Sequence, residues 1–524
     1  MLTEDLKDQI QRLNDIGIAL SSETKLDRLL DLIVRELRGF TLADAGSLYI
    51  RDGDDLQFEV AQNDTLQARQ GADAESFRPF PLPLTKKSIA GFVALTGETL
   101  NIKDVYGLDD SVEFSFNQDF DKRNDYRTKS MLVVPMFDHR KGIIGVLQLI
   151  NALDSKGDVV PFSQDVESLV LSLASQAAVA IRNAQLIASI KNLFAALVQY
   201  SASAIDARSP HTAGHSRRVA SLALLAAAAI DRQTQGPFAE TCFSEEELEE
   251  LSYAAWLHDI GKIGVREWIL EKFDKLNPTR MDLIRSRFDQ IGQGFQLEHQ
   301  RRLLDFYEAG RRPGPEEIAV LASERDRRLE QLRDDLDFLI KINTPGWMSD
   351  EDLARLDEIA AKEFTGGDGE EIRYLTDFEY KNLSIRKGNL TDEEYREIQS
   401  HVTYTYNIIK QIPFTPELSR IPDFAVAHHE MLNGTGYPKG LKAENIPLQA
   451  RILGVVDIFD ALVARDRPYK KAMPVEKALF ILQDEAKVGR LDPDIVALFV
   501  KEKLWTDETF EGLNARPEDA PTLS

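Results

Sequence analysis

Histidines in the C-terminal part of the chain stand where imidazoles could bind metal ions, at the ends or on the apolar faces of predicted helices. The candidates are His211, His215, His258, His401, His428 and His429. His139 lies in a strand-rich segment, and His299 lies in a charge-dense insertion. In AAWLHDIGKI, residues 254–263, His258 shares a helical face with Leu251 and is predicted to point into packed structure, where a buried imidazole needs a partner.

Five of these histidines and two aspartates are predicted to face the interior of one helical bundle. The inward histidines are His215, His258, His401, His428 and His429. Asp259 follows a histidine directly, and Asp457 lies within the apolar segment GVVDIF, where an unpaired carboxylate is costly. One inward histidine alone is more often a core residue with a hydrogen-bond partner. In an apolar bundle, these seven side chains lack enough buried donors and acceptors to form hydrogen bonds with one another, whereas two bound cations would provide partners for all of them.

The available donor atoms narrow the choice of metal. The single cysteine, Cys242, excludes an internal disulfide and a thiolate-rich zinc site, and agrees with a reducing compartment. Imidazole and carboxylate donors suit iron or manganese, with zinc as a further option. Asp259, beside a histidine, is placed to bridge two ions about 3.5–4 Å apart.

Helices must position these residues, and their start signals are visible. Thr391 and Glu394 have the spacing of a capping box at the start of the helix that carries His401. Ser209–Pro210 is a good N-cap and first-turn pair for a helix that carries His215. The sequence therefore predicts an all-helical region from about residue 209 onward.

The pattern differs in four other segments. Residues 2–37 are predicted to be helical, with a seven-residue leucine spacing that fits either a coiled coil or a helix capping the next domain. Residues 46–151 contain two hairpin signatures and predict a sheet. Residues 164–208 lack a helix breaker and predict one long helix. Residues 276–387 form a charge-dense helical insertion with a solvated face.

Length and composition exclude several classes of protein. At 524 residues the length predicts about three domains, and a hydrophobic content of 43% supports sizeable cores. A net charge of −24 argues against a polymeric nucleic-acid partner and an anionic membrane surface, so a phosphate-bearing substrate needs local cations. The longest apolar stretch, residues 222–230, is too short to cross a bilayer, and the N-terminus is polar, which predicts a cytoplasmic protein.

Three motifs occur in an order that identifies a family resemblance. HDIGK (258–262), HHE (428–430) and GYP (436–438) match the HD-GYP subfamily of HD-domain metal phosphohydrolases, which the chain resembles over about 190–275 and 388–505. The resemblance implies a helical bundle with cyclic-di-GMP phosphodiesterase activity. The metal ligands that it implies are His215, His258, Asp259, His401, His428, His429 and Asp457.

The resemblance also implies roles for residues beside the metals. Asp259 and Lys262 are expected to act in catalysis, where two divalent ions activate a water for attack on phosphorus. The implied substrate-binding residues are Lys262, Arg467, Lys470, Gly436, Tyr437 and Pro438, with Lys471 as a weaker candidate. Glu430 and Asp460 are expected to orient imidazoles. The implied product is linear pGpG, with further hydrolysis to GMP left open.

Two positions depart from the family pattern. His211 stands where some members have a Glu that holds a third metal, so two metals are favoured here. Asn433 stands where the family usually has Asp, which bears on how the substrate is positioned.

The N-terminal part resembles a GAF domain over about 26–186. The segment FDKRNDYRTKSMLVVPM (120–136) is similar to the GAF domains of cyclic-nucleotide phosphodiesterases. Asn151, Phe162 and Glu167 fit the signature of those domains, whereas Ala152 and Val166 replace its Lys and Asp. The resemblance therefore raises cAMP or cGMP as a ligand, and the alternative is a module for dimerisation and signal transmission without a ligand.

These observations predict a multidomain α+β protein. The expected parts are an N-terminal helix (1–25), a GAF sensor (26–186), a connecting helix (164–208), an HD-GYP domain (190–505) with its insertion (276–387), and a tail (506–524). The expected function is hydrolysis of cyclic di-GMP by a homodimer joined through its N-terminal and connecting helices. The alternatives are a phosphodiesterase for another cyclic dinucleotide, such as cyclic GMP-AMP, and a cyclic-di-GMP receptor that does not hydrolyse its ligand.

Overall fold

The computed structural model describes residues 4–70, 79–109, 111–138, 140–207, 214–366, 369–464 and 473–506. The chain forms two compact units, Met1–Phe194 and Ala195–Ser524. In the described residues, no helix combines the length and the apolar character that a membrane span requires.

The first unit is built on one antiparallel sheet. Its strands are β1 Ala43–Asp52, β2 Asp55–Asn63, β3 Phe80–Pro83, β4 Leu100–Ile102, β5 Met131–Phe137, β6 Ile143–Leu153 and β7 Val159–Val160. Their order is β3-β2-β1-β6-β5-β4, with β7 paired to β6. Both predicted hairpins are present: Asp52 lies opposite Asp55 across the Asp-Gly turn, and β5 pairs with β6.

Helices cover the sheet on both faces. They are α1 Glu4–Ser22, α2 Leu26–Thr41, α3 Asp64–Gln70, α4 Ile89–Thr96, α5 Asp119–Asn124 and α6 Gln164–Asp206. Side chains of β5 alternate between two cores: Leu132 packs in the core that includes α2 and α6, and Val133 packs in the core that includes α4. The segment predicted to be helical over residues 2–37 forms two helices, because residues 23–25 separate α1 from α2. Leu20 is buried in the core with α2, as expected of a capping helix.

The second unit is almost entirely helical. Its helices are α7 His215–Asp231, α8 Glu245–Leu257, α9 Glu267–Leu270, α10 Pro278–Glu308, α11 Pro315–Asn343, α12 Asp350–Ala360, α13 Asp377–Leu383, α14 Asp392–Ile409, α15 Ile421–Val426, α16 Leu448–Val463, α17 Val475–Lys487 and α18 Pro493–Glu502. The predicted helix from Ser209 through His215 is wrong at Gly214, which has a left-handed backbone (φ 69°) and precedes the first residue of α7. Residues 208–213 themselves lie outside the described part of the chain.

The predicted insertion forms helices α10–α13 around a core of its own. Ile284, Phe288, Leu339 and Leu356 are among its buried residues. Two short antiparallel strand pairs accompany the helices: the hairpin of β9 Glu363–Thr365 with β10 Glu371–Arg373, and the pair of β8 Gly346–Trp347 with β11 Lys387–Gly388 from the far end of the insertion. Strands of two or three residues carry too little periodicity for the sequence to predict them.

Candidate metal centre

The first two candidate ligands lie at the end of α8. This helix starts with a capping box of Ser244 and Glu247 and ends at Leu257. His258 follows directly, and Asp259 leads into a 3₁₀ turn, Ile260–Gly264. The turn changes the direction of the chain, so that adjacent histidine and aspartate side chains reach the same space.

Gly261 allows α14 to approach this turn closely. A Cβ on Gly261 would lie 2.0 Å from the His401 carbonyl oxygen and 2.3 Å from the Thr405 amide nitrogen. Thr405 Oγ1 accepts a hydrogen bond from the Gly261 amide (2.9 Å) and donates one to the His258 carbonyl (3.0 Å). The glycine of the HDIGK motif therefore allows α14 to approach the turn, and the hydrogen bonds of Thr405 hold the helix there. Thr405 is a positioning residue that sequence reasoning missed.

His401 lies on α14, whose start was predicted correctly. Thr391 and Glu394 form the expected capping box. His401 is 1% exposed, so it faces inward as its place on the apolar stripe of this helix predicted.

Four imidazoles form a hydrogen bond at Nδ1, and in three of them the partner fixes which nitrogen carries the proton. The acceptors are Asp460 Oδ2 for His215 (2.8 Å), the Ala255 carbonyl for His258 (2.7 Å), the Ile398 carbonyl for His401 (2.5 Å) and the Ala425 carbonyl for His428 (2.5 Å). A carbonyl oxygen can only accept, so Nδ1 carries the proton in the last three rings. In a neutral ring the lone pair is then on Nε2, the arrangement found in metal-binding histidines.

These Nε2 atoms converge on a shared space. His215 Nε2 and His258 Nε2 lie 3.3 Å apart. Within the described residues, the buried Nε2 atoms of His401 and His428 have no hydrogen-bond partner. The lone pairs on the Nε2 atoms of His401 and His428 are therefore buried without a donor, which is unfavourable, and a cation beside them would accept both. The residues therefore fit the divalent metal that an HD domain implies.

Two carboxylates connect the histidines. Asp259 Oδ2 lies 3.3 Å from His258 Nε2 and 3.6 Å from His215 Nε2, while Asp259 Oδ1 lies 3.3 Å from His401 Nε2. Asp457 Oδ1 lies 3.2 Å from His215 Nε2, and Asp457 Oδ2 lies 4.0 Å from His429 Nδ1. His428 lies with His258 and Asp457 on one side and with His401 and His429 on the other. The structure thus brings all seven predicted ligand residues together, and each carboxylate faces histidines on two sides.

Charge is distributed unevenly over the centre. Burial would lower the pKa of His215, but hydrogen bonds with Asp457 and Asp460 raise it to about 10. Burial and the neighbouring imidazoles lower the pKa of His428 well below its usual value, and burial lowers that of His429 to about 4. His428 and His429 are therefore neutral at pH 7, the form in which imidazole binds a metal.

Lys262 lies beside the bridging carboxylate. Its Nζ donates a hydrogen bond to Asp259 Oδ2, and its side chain is 26% exposed. Burial would lower the pKa of Lys262, but the Asp259 carboxylate raises it. Burial would likewise raise the pKa of Asp259, but Lys262 and the imidazoles hold it well below its usual range. The pair is therefore fully charged at neutral pH.

Asp460 supports the centre from outside. Besides accepting from His215, it accepts from Arg218 Nε (2.7 Å) and Nη2 (3.0 Å). This arrangement agrees with the expectation that Asp460 orients an imidazole. The sequence analysis missed Arg218. It could have been found because it lies about one helical turn after the candidate ligand His215.

The expected role of Glu430 needs correction. Its carboxylate accepts hydrogen bonds from the backbone amides of Lys439 and Leu441, both at 2.7 Å. Glu430 therefore orders the loop around the GYP tripeptide, whereas an imidazole-orienting role was expected. Asn433 also orders this loop, because its Oδ1 accepts from the Thr435 amide and hydroxyl.

The GYP tripeptide contacts a candidate ligand. A Cβ on Gly436 would lie 2.5 Å from the His429 carbonyl oxygen, so only glycine permits this approach. The Tyr437 amide donates to the same carbonyl (3.2 Å), and its ring packs on the His429 ring with centroids 4.8 Å apart. Substrate binding by Gly436, Tyr437 and Pro438 stays a prediction.

Other predicted site residues cannot be placed. His211, Arg467, Lys470 and Lys471 lie outside the described residues.

In the first unit, the signature residues contact other protein groups. Asn151 accepts from the Lys129 amide (2.7 Å) and donates to the Arg127 carbonyl (2.8 Å), and Glu167 accepts from Asn101 (2.9 Å). These contacts order loops, and cyclic-nucleotide binding stays a prediction.

Family models match both units. The GAF domain model matches residues 25–181, and two HD domain models match residues 212–337 and 379–495. The chain therefore carries a GAF domain followed by a largely helical HD region, and the predicted α+β organisation is confirmed. The two HD matches enter the insertion from opposite ends.

Curated relatives are similar to this chain over a segment of 116 to 127 residues. The "3'3'-cGAMP-specific phosphodiesterase 3" of Vibrio cholerae is 41% identical over 116 residues, which cover 22% of this chain and 24% of that protein. The "Cyclic di-GMP phosphodiesterase" of Thermotoga maritima is 39% identical over 127 residues, which cover 24% of this chain and 33% of that protein. The chain thus spans a quarter to a third of the length of these relatives.

Solved structures are also similar to part of the chain. The GAF domain of an Acinetobacter phosphoenolpyruvate-protein phosphotransferase covers 36% of this chain and 99% of its own, at 21% identity and a TM-score of 0.27. A GAF domain/HD domain protein from Geobacter sulfurreducens covers 32% of this chain and 98% of its own, at 20% identity and a TM-score of 0.24.

Proposed function

We propose that the HD region is a metal-dependent phosphodiesterase that hydrolyses cyclic di-GMP to linear pGpG under the control of the GAF domain. The observation that carries this proposal is the set of imidazole Nε2 atoms turned toward the two oxygens of Asp259. The names of the relatives support a cyclic dinucleotide as substrate.

The proposed ligands fall into two groups that share carboxylates. His215 and His258 lie near Asp259 Oδ2, and the second group consists of His401, His428 and His429. Two divalent ions, iron or manganese, would supply Lewis acidity toward the phosphoryl oxygens and lower the pKa of the attacking water. The chain's contribution is to hold the donors in place through Asp460 and Thr405.

Lys262 is the proposed cation for the substrate phosphate. Its ammonium is partly exposed and is kept charged by Asp259. A fixed positive charge beside the reacting phosphorus stabilises the negative charge that develops on the phosphoryl oxygens. It also supplies the local cation that a chain of net charge −24 needs to attract a phosphodiester.

The test is metal content and turnover in wild type, in Asp259→Ala and in the surface control Asp282→Ala. We expect about two metals per chain, as a binuclear centre requires, and cyclic-di-GMP hydrolysis that only Asp259→Ala abolishes. Cyclic GMP-AMP is assayed in parallel because one relative carries that specificity in its name. Intact metals and bound cyclic di-GMP without turnover of either substrate would instead indicate a receptor.

The proposed assembly is a cytoplasmic homodimer joined through α6. Apolar side chains that are at least 46% exposed repeat along this helix: Val179, Leu186, Ile190, Leu193, Leu197 and Tyr200. They occupy the two apolar positions of a heptad, and Asn183 falls in the same register as Ile190 and Leu197. An asparagine at such a position favours a two-stranded parallel coiled coil in register.

A further inference from the structure

A cavity of about 210 Å³ lies where the insertion joins the HD helices, and none of its lining residues is a candidate metal ligand. Residues of α9, the start of α10, α13 and α14 line it. Three of the lining side chains are cationic, namely Lys272, Lys275 and Arg280, and one is a carboxylate, Glu394. The cavity is therefore positive in a protein of net charge −24.

The carboxylate is already paired. Lys272 Nζ donates to both oxygens of Glu394, at 2.8 and 2.7 Å, and to Asn382 Oδ1 at 2.7 Å. These bonds use the three protons of the Lys272 ammonium. In the described part of the chain, neither Lys275 nor Arg280 forms an ion pair with a carboxylate. The acidic group that acts on Lys275 from farther away is Asp352, which opposes the lowering of the Lys275 pKa by burial.

Lys275 is the unusual group. It is 2% exposed, yet its Nζ makes one hydrogen bond, to the Leu383 carbonyl at 2.9 Å, in the residues that the structure describes. A buried ammonium has three donors and is costly unless an anion pairs with it. An anion in the cavity would provide that partner.

Two aromatic rings supply a second kind of contact. Trp268 and Phe378 line the cavity and are 45% and 46% exposed. The Arg280 guanidinium lies 5.0 Å from the centre of the Phe378 ring. Half-exposed aromatic rings beside cations are the elements with which proteins stack a base and hold its phosphate.

We propose that this cavity binds a nucleoside monophosphate, with the phosphate at Lys275 and Arg280 and the base against Trp268 or Phe378. At about 210 Å³ the cavity is smaller than the ~300 Å³ at the lower end of ligand pockets, so it can enclose a phosphate, while the base would lie at its mouth against the half-exposed rings. A cyclic dinucleotide is too large for this arrangement. GMP is the first probe because it is the end product of complete cyclic-di-GMP hydrolysis. Only this choice of base rests on the proposed function.

The location makes such a site regulatory. The ligand would contact α10 at the start of the insertion, α13 near its end, and α14, on which Glu394 precedes His401 by two helical turns. A mononucleotide there would tie both ends of the insertion to the helix that carries a candidate metal ligand.

The experiment is calorimetric titration of the full chain with GMP, inorganic phosphate and guanosine. Wild type, Arg280→Ala, Lys275→Met and the surface control Arg285→Ala are compared, and Asp259→Ala removes binding at the metal centre. We expect GMP to bind wild type and Asp259→Ala alike, and more tightly than either fragment. Arg280→Ala should weaken GMP binding roughly tenfold or more, Lys275→Met should abolish it, and Arg285→Ala should leave it unchanged.

Three results would overturn the site. They are equal GMP affinity in wild type and Arg280→Ala, phosphate binding as tight as that of GMP, and loss of GMP binding in Asp259→Ala alone. The last result would place GMP at the metal centre and leave the proposed function intact. Because Arg280 is exposed, its variant tests the proposal even if Lys275→Met fails to fold.

Discussion

The candidate ligands owe their orientation to very local contacts. His258, His401 and His428 each donate Nδ1–H to the carbonyl three residues earlier in the chain. The same short link therefore sets the tautomer of three imidazoles before any metal is bound. Apolar periodicity predicted that these rings face inward, but it cannot predict which nitrogen carries the proton.

Gly261 is the residue at which this orientation is most sensitive. In Gly261→Ala, the new Cβ would meet two backbone atoms of α14, which cannot move without the helix. We expect His401 to be displaced and both metal content and phosphodiesterase activity to fall at least about tenfold, as when a supporting contact is lost. Metal analysis and turnover measure this effect.

The matched control for Gly261→Ala is Gly39→Ala. A Cβ at Gly39 has no neighbour within 4 Å, and the residue lies in α2. This variant should keep wild-type metal content and activity. Full metal content and activity in Gly261→Ala would show that the close approach of α14 is not required.

Among the elements, the insertion has its own stabilising ion pair. Arg287 on α10 donates to both carboxylate oxygens of Glu379 on α13, at 2.7 and 3.1 Å. The Glu379 side chain is 1% exposed and also accepts from the Thr376 amide. Two distant parts of the insertion are thereby joined across its core.

Glu379→Gln should destabilise the protein by about 1–3 kcal/mol at pH 7, because it leaves a charge without its partner. Burial would raise the pKa of Glu379, but Arg287 and Thr376 lower it. The stabilisation is therefore full above the unfolded pKa of about 4.3 and is lost as pH falls toward the folded value. Urea midpoints at pH 7 and near pH 4 measure this.

The exposed pair Lys381–Glu393 provides the comparison. Glu393→Gln should change the urea midpoint much less than Glu379→Gln at pH 7. An equal effect of the two substitutions, or an effect of Glu379→Gln that grows as pH falls, would contradict the role given to the buried pair.

At the scale of the whole molecule, the sequence predicted features that depend on neighbouring residues. The capping box of Thr391 and Glu394 spans a single turn, and the hairpin at the Asp-Gly turn spans a few residues, so both could be identified. The close approach of Gly261 to Thr405 joins residues far apart in the chain and leaves no local pattern. The candidate ligand residues could be predicted because their motifs resemble those of a family whose members share the arrangement of these residues in space.

The exposed apolar side chains that repeat along α6 at heptad positions form a seam, which leads to a prediction about assembly. Leu193→Asp places a charge at an apolar heptad position that would be buried between two copies, and it should convert the proposed dimer to monomer. Sedimentation measures the mass. Gln199→Asp adds the same charge at an exposed position of α6 outside the seam and should leave a dimer. Equal masses for the two variants would argue against the seam.

The order of the ligands along the chain bears on how the protein is made. The candidate ligands run from His215 to Asp457, and the insertion lies between the third and the fourth of them. The ribosome synthesises the chain from its N-terminus. His215, His258 and Asp259 are therefore made before the insertion, and the remaining candidate ligands follow after it. The complete set of candidate ligands therefore exists only after α16 has been synthesised, and an interrupted chain that ends before α16 lacks Asp457.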